Sequence, residues 1–307
     1  MRIVFFGTPE FAVPSLRALL RERYDVVGVV TQPDRPQGRS RSTLVAPPVK
    51  AEAEGAGIPV HQPARPLGDL FLAAIRRLEP DLGVVVAYGH ILRPVLLALP
   101  RLGMINVHAS LLPRWRGAAP IQHAILAGEE ETGVSVMQME EGLDSGPVLH
   151  RIATPLGSQE TAGSLSARLA ELGAAALVDA LSLIAAGLAT PERQDPARAT
   201  FAPKIDRDSA RLDWRRDAAA LSRQVRAFDP APGAWTTHED APLKLFGAVP
   251  TQDRGEPGSV LSAGDRLVVG CGEGALAVHD VQPAGRMRLP VGDWVRGRGI
   301  AVGSRLA

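Results

Sequence analysis

Within residues 103–122, GMINVHASLLPRWRGAAPIQ, three polar side chains fall two residues apart: Asn106, His108 and Ser110. Successive strand side chains alternate faces, so the three share one face if this stretch is extended. An amide, an imidazole and a hydroxyl in a row build a poor core and a good site. The Asn106 amide offers two N–H donors and a protonated imidazole offers more. Such donors stabilise an oxyanion as it forms. The acidic partner we assign is Asp144, in EEGLDSGPV, between Gly142 and Gly146. From a loop beside this strand its carboxylate can orient the imidazole or relay protons. A purely structural hydrogen-bond network is the alternative. Ser110 with His108 and Asp144 invites a serine-nucleophile reading. However, positions i and i+2 on one strand hold a serine–histidine pair badly, and no G-x-S-x-G elbow occurs. One histidine and one carboxylate make a weak metal site. Acyl transfer without a covalent enzyme intermediate fits these residues best.

The segments that must position these groups have a clear texture. RIVFF (2–6) and VVGVVT (26–31) are strand-like and flank a helical spacing over 10–23. LGVVVAY (82–88), GMINVHA (103–109) and GVSVMQM (133–139) follow, with helical segments at 47–55, 69–78 and 118–127. Uniformly apolar strands alternating with helices predict a Rossmann-like α/β domain, an open and mostly parallel sheet buried on both faces. The first turn, GTPEF, carries one glycine where a dinucleotide cradle needs G-x-G-x-x-G. A plain strand-to-helix turn is expected there. Residues 160–187 are alanine- and leucine-rich and helical, and 217–227 reads as a shorter helix. Past 188 the chain becomes polar and proline-punctuated, then breaks into short β runs such as AWTTH and LKLFGAV. We expect a first domain over 1–188, a linker over 189–206, and a small OB-like β-barrel over 207–307.

Composition narrows the functional classes. The 307 residues are 45% hydrophobic, enough for two cores, and the net charge of +1 advertises no global nucleic-acid field. A single cysteine, Cys271, excludes an internal disulfide framework and a thiolate metal site. No apolar run approaches the roughly 20 residues of a membrane span. A soluble, cytoplasmic monomer is expected.

The residues also resemble a known family. NVHASLLPRWRGAAPIQ with ETGVSVMQMEEGLDSGPVL, together with FFGTPEFAVPSL, VTQPDRPQGR, PPVK, VVVAYGHIL and QPAGR, is similar to the folate-dependent formyltransferases. The resemblance runs through nearly the whole chain. The QPDRPQGR loop, the WRGAAPIQ run and the C-terminal part resemble the branch that acts on tRNA. This resemblance implies 10-formyltetrahydrofolate as co-substrate, initiator methionyl-tRNA as acceptor, and no required metal. It implies Asn106, His108 and Asp144 as the catalytic trio and Ser110, Leu111, Leu112 and Pro113 as the folate-binding segment. It further implies that Arg35, Arg39 and Arg41, in DRPQGRSRS, contact the tRNA acceptor stem. Alternatives are a formyltransferase for glycinamide ribonucleotide or an amino sugar nucleotide, a formyltetrahydrofolate hydrolase, and a non-catalytic RNA-binding module.

Two segments stand apart from the family pattern. RSRSTLVAPPVK is one residue longer and poorer in lysine than the usual form. RAFDPAPGAW carries Asp229 and Ala231 where the family usually has asparagine and tryptophan. The final segment holds Arg286, Arg288, Arg296, Arg298 and Arg305 against Asp293 alone. A basic edge for a nucleic-acid backbone is expected there.

Overall fold

The computed structural model describes residues 1–37, 43–297 and 299–307. These fall into two compact units. The first gathers Met1–Gly117, Glu131–Pro155 and Ser166–Phe201; the second gathers Ala118–Glu130, Leu156–Leu165 and Ala202–Ala307.

The first unit begins with β1 (Arg2–Gly7), whose Ile3, Val4, Phe5 and Phe6 are wholly buried. Burying each such side chain contributes roughly 1.5–3 kcal/mol. A 3-10 turn over Glu10–Ala12 leads into α1 (Val13–Arg21), with a proline in its first turn where no amide partner is needed. There follow β2 (Asp25–Val30), the short pair β3 (Arg35–Gln37) and β4 (Thr43–Val45), α2 (Pro48–Gly55), β5 (Val60–His61) and α3 (Asp69–Arg77). Then come β6 (Leu82–Val86), α4 (Pro94–Leu97), β7 (Met104–His108) and β8 (Arg116–Gly117). β9 (Glu131–Gln138), β10 (Val148–Pro155) and the long helix α6 (Ala162–Ala185) follow.

The main sheet has the order β10-β9-β7-β6-β1-β2-β5. Five neighbouring strands, β5 to β7 along that order, pair in parallel; β9 runs antiparallel to both β7 and β10. The sheet is mostly parallel, as expected, with an antiparallel flank formed by β9 and β10. The reversal has a chemical consequence. Ile105 pairs with Gln138 and His108 with Ser135, so the carboxyl end of β9 lies beside the start of β7. The 139–147 loop then turns back over the strand instead of leaving at the usual ligand edge. β7 is covered closely: a Cβ built at Gly173 of α6 would stand 3.0 Å from Val107 Cγ1.

β10 and the β3–β4 pair were not legible from periodicity. β10 is an edge strand whose exposure does not alternate cleanly. β3 contains Pro36, which a two-stranded edge tolerates because no second neighbour needs its amide.

The second unit contains α5 (Pro120–Ala127), β11 (Phe201–Ala202) at its border, and α7 (Ala218–Ala227). Asp217 caps α7 by accepting the Ala220 amide at 2.7 Å. An antiparallel sheet follows: β12 (Ala234–His238), β13 (Ala241–Thr251), β14 (Val260–Ala263), β15 (Leu267–Gly270), β16 (Ala275–Pro283) and β17 (Leu289–Pro290). Its order is β12-β13-β16-β15-β14, with β17 on β16, and α8 (Val291–Arg296) comes after it. Residues 303–307 hydrogen-bond both to Thr237 at the end of β12 and to Gly258 and Val260 at the start of β14.

The tight contact above β7 gives a packing prediction. Gly173→Ala should be close to neutral, because about 1 kcal/mol of helix propensity offsets the crowding. Gly173→Val should lower unfolding free energy by about 1–3 kcal/mol in denaturant titrations, since its branches have nowhere to go. A neutral valine variant would refute the close packing of α6 on β7.

Candidate active site

β7 places Asn106 and His108 on one face, with Val107 between them turned toward α6. Asn106 is 9% exposed, and among the described residues its side-chain amide has no hydrogen-bond partner. A buried amide left uncommitted at the solvent border is available to a ligand. His108 is 6% exposed, and its Nε2 lies 2.9 Å from the Trp115 carbonyl oxygen. A carbonyl can only accept, so Nε2 carries the hydrogen. Nδ1 then faces Asp144, with Oδ2 3.7 Å away. That is ion-pair reach and longer than a hydrogen bond. The structure thus brings His108 and Asp144 together, with Asn106 on the same strand face as His108. The two ring nitrogens are, however, differently placed: one is committed to main chain and one is turned to the acid.

Asp144 is held from several sides. It adopts a left-handed backbone conformation, φ 48°, which aspartate tolerates better than most residues. Its Oδ2 accepts the Gly117 amide at 2.9 Å. Gln194 Nε2 donates to the Asp144 carbonyl at 2.9 Å and to the Gly146 carbonyl at 2.7 Å. Gln194 Oε1 in turn accepts from Arg116, at 3.0 and 2.7 Å. Gly146 is required here: a Cβ would lie 2.0 Å from the Gln138 carbonyl oxygen.

Ser110 does not face a substrate as a nucleophile would. It is fully buried and donates to the Arg114 carbonyl at 2.6 Å. The Ser110–Pro113 segment is pinned by Ser135 of β9, which donates to the Ser110 carbonyl at 2.7 Å and accepts the Leu112 amide at 3.0 Å. Leu112 packs with Met137 and Val148, and its bond to Pro113 is cis. Trp115 has φ 61° and donates its amide to the Thr200 hydroxyl at 2.9 Å.

Sequence reading missed Gln194, Ser135 and Thr200. Gln194 and Thr200 lie in the polar stretch expected to be linker, and nothing in its texture marks them. Ser135 carried a signal that went unused: a serine inside the apolar run GVSVM needs a buried partner. Among the described residues, no group of three His, Cys, Asp or Glu side chains is arranged to hold a metal ion.

Residues 1–181 match the formyl transferase family, and residues 204–299 match the formyl transferase C-terminal domain. The chain belongs to the formyl transferase family. It is 50% identical over 310 residues to the methionyl-tRNA formyltransferase of Methylococcus capsulatus, covering 100% of this chain and 99% of that one. It is 48% identical to the methionyl-tRNA formyltransferase of Citrifermentans bemidjiense, covering 100% of this chain and 96% of that one. Among solved structures, the N-formyltransferase of Helicobacter canadensis, in complex with folinic acid and dTDP-3-aminofucose, shares the fold. Its TM-score is 0.70 at 16% identity, over 92% of this chain and 98% of that one.

Of the three loop arginines, Arg39 and Arg41 lie outside the described residues. Arg35 is exposed on β3, and its guanidinium Nη2 already donates to Gln32 Oε1. The base of this arm is tied down. Asp34 accepts from Gln62 Nε2 at 2.7 Å and from Lys50 Nζ at 2.8 Å. Together these hold its carboxyl below the usual carboxylate range.

The expected basic edge of the final segment is largely neutralised. Arg288 donates to Asp229 at 3.0 Å and to Asp280 at 2.9 Å, and its guanidinium sits 4.3 Å from the centre of the Phe246 ring. Arg296 pairs with Asp293, and Arg305 lies 3.5 Å from Glu256. Arg298 lies outside the described residues. The Arg288 pairing also accounts for Asp229, a carboxylate only 7% exposed, which this cation compensates. Nothing in the structure explains Ala231.

The Gln194 carboxamide should set the rigidity of the 139–147 loop. Replacing it with leucine removes two donors and one acceptor. Amides of residues 140–146 should then exchange with solvent about tenfold faster, the equivalent of one to two net hydrogen bonds. Unchanged exchange would show that the loop is held by other contacts.

Proposed function

We propose that this protein transfers the formyl group of 10-formyltetrahydrofolate to the α-amino group of initiator methionyl-tRNA. The uncommitted Asn106 amide, buried on the same strand face as His108, whose ring in turn faces Asp144, supports the chemistry. Near-half identity over the full chain to proteins named methionyl-tRNA formyltransferases supports the acceptor.

The neutral amine attacks the formyl carbon. The Asn106 N–H groups receive the oxygen as it becomes negative. His108 shares that role only if its Nε2 leaves the Trp115 carbonyl; as placed, its Nδ1 is the atom that exchanges a proton. Contraction of the 3.7 Å gap to Asp144, as catalytic contacts tighten around substrate, makes this a charge-assisted hydrogen bond. The amine proton travels by this pair to N10 as the tetrahedral species collapses. Formylmethionyl-tRNA and tetrahydrofolate leave. Holding both substrates together makes the attack effectively unimolecular.

In this reading Ser110, Leu111, Leu112 and Pro113 border the folate, and Arg35, Arg39 and Arg41 meet the acceptor stem. Residues 1–188 perform the transfer, 189–206 connect while Gln194 and Thr200 brace the site, and 207–307 hold RNA on a partly closed, OB-like barrel. The hydrogen bonds of residues 303–307 to both β12 and β14 support that closure. No metal takes part, and the protein acts in the cytoplasm as a monomer.

Purified protein supplied with 10-formyltetrahydrofolate should formylate methionyl initiator tRNA and leave methionyl elongator tRNA largely unmodified. Equal release of formate without tRNA would favour a hydrolase. Asp144→Asn keeps an acceptor for the Gly117 amide and a residue tolerant of the left-handed backbone. It should lower kcat by about a hundredfold or more with little change in KM for the folate. A loss confined to that KM would refute the proton-handling role.

A further inference from the structure

Several described arginines of the second unit are spent on partners: Arg215 on Asp213, Arg288 on two aspartates, Arg296 on Asp293, Arg223 on the Leu126 carbonyl and Arg226 on that of Glu160. Trp235 marks an exception. Its ring, half-buried on β12, carries two guanidinium groups, those of Arg207 at 5.4 Å and Arg211 at 5.5 Å from the ring centre. Its indole N–H is fixed to the Arg207 carbonyl at 2.8 Å. Its own amide donates to the Ala210 carbonyl at 2.9 Å, and its carbonyl accepts the Leu212 amide at 2.8 Å. Directly across the ladder from Trp235 stands Lys244, whose side chain shares that face.

Arg207 and Arg211 are exposed, and among the described residues neither they nor Lys244 has a carboxylate within ion-pair distance. Asp206 and Asp208 flank Arg207 in sequence. Asp206 is occupied by the Ser209 amide at 2.7 Å.

Stacking on an aromatic face orders a guanidinium while leaving its N–H fork unfilled. Much of the side-chain entropy that a flexible arginine loses on binding is thereby lost in advance. Two guanidinium groups ordered on one ring with open donors, and a lysine opposite them in the ladder, fit a polyanion whose charges recur along a chain. We infer that Arg207, Arg211 and Lys244, arranged around Trp235, form a phosphate-binding contact for RNA. This takes the place of the expected arginine edge at 286–305. It rests on the proposed tRNA acceptor and names where the second unit grips it.

Two measurements test the contact. Filter retention of initiator tRNA, with and without methionine, needs no turnover. Steady-state formylation separates KM from kcat. Arg207→Gln/Arg211→Gln should weaken RNA retention and raise KM for methionyl-tRNA by about tenfold. The log–log salt slope should fall by about 1.4–1.8, the loss of two phosphate contacts. The KM for folate and the kcat at saturating tRNA should stay within about twofold. Arg207→Lys/Arg211→Lys keeps the charge and should restore most of the slope, which a packing defect would not. Lys244→Gln alone should remove about half as much slope. Unaltered retention and slope in the double glutamine variant would overturn the inference, as would equal displacement of tRNA by polyglutamate. If the unmodified protein retains tRNA but does not formylate it, the proposed activity fails while the contact stands.

Discussion

One carboxylate oxygen organises the first unit. Asp144 Oδ2 takes the Gly117 amide and faces His108 Nδ1, and it can do so only because β9 runs against β7. With β9 reversed, the loop that follows lies over the strand carrying Asn106 and His108. Gly146 lets that loop pass close to Gln138, and Gln194 fastens its carbonyls. Three distant parts of the chain, near residues 108, 144 and 194, must therefore be correct together. Proton handling in this site is a property of topology as much as of residue type.

The parts that were legible in sequence share a physical reason. The buried parallel strands announce themselves because both faces are apolar, as in RIVFF and LGVVV. Asn106 and His108 announce themselves because polar groups at period two inside such a run are costly unless used. Asp144 was singled out through its glycine-flanked loop and the family resemblance. What stayed hidden depends on contacts distant in sequence. The direction of β9 cannot be read from its own residues, and neither can the value of Gln194, an unremarkable amide in a polar stretch. The commitment of His108 Nε2 to a main-chain carbonyl has no sequence signature at all.

Charge shows the same division. Counting arginines in the final segment suggested a basic edge, yet Asp229, Asp280, Asp293 and Glu256 sit against most of them. Two of the cations without a carboxylate partner among the described residues meet instead at Trp235, where Arg207 and Arg211 look unexceptional in a line of mixed charge. Net charge along a segment says little where carboxylates arrive from neighbouring strands. Asp229 is intelligible in these terms: a buried acid is matched by Arg288 stacked on Phe246.

The partner of His108 Nε2 is a peptide carbonyl, and that has a bearing on how this site can drift. The tautomer and tilt of the imidazole are written into the backbone at residue 115, whose φ is 61°. The indole itself is not what the histidine reads. Any residue that accepts the same left-handed turn, asparagine or glycine above all, preserves the ring's orientation. A β-branched residue of nearly the same bulk would disturb it. Selection on that position should therefore follow conformational tolerance and not side-chain chemistry.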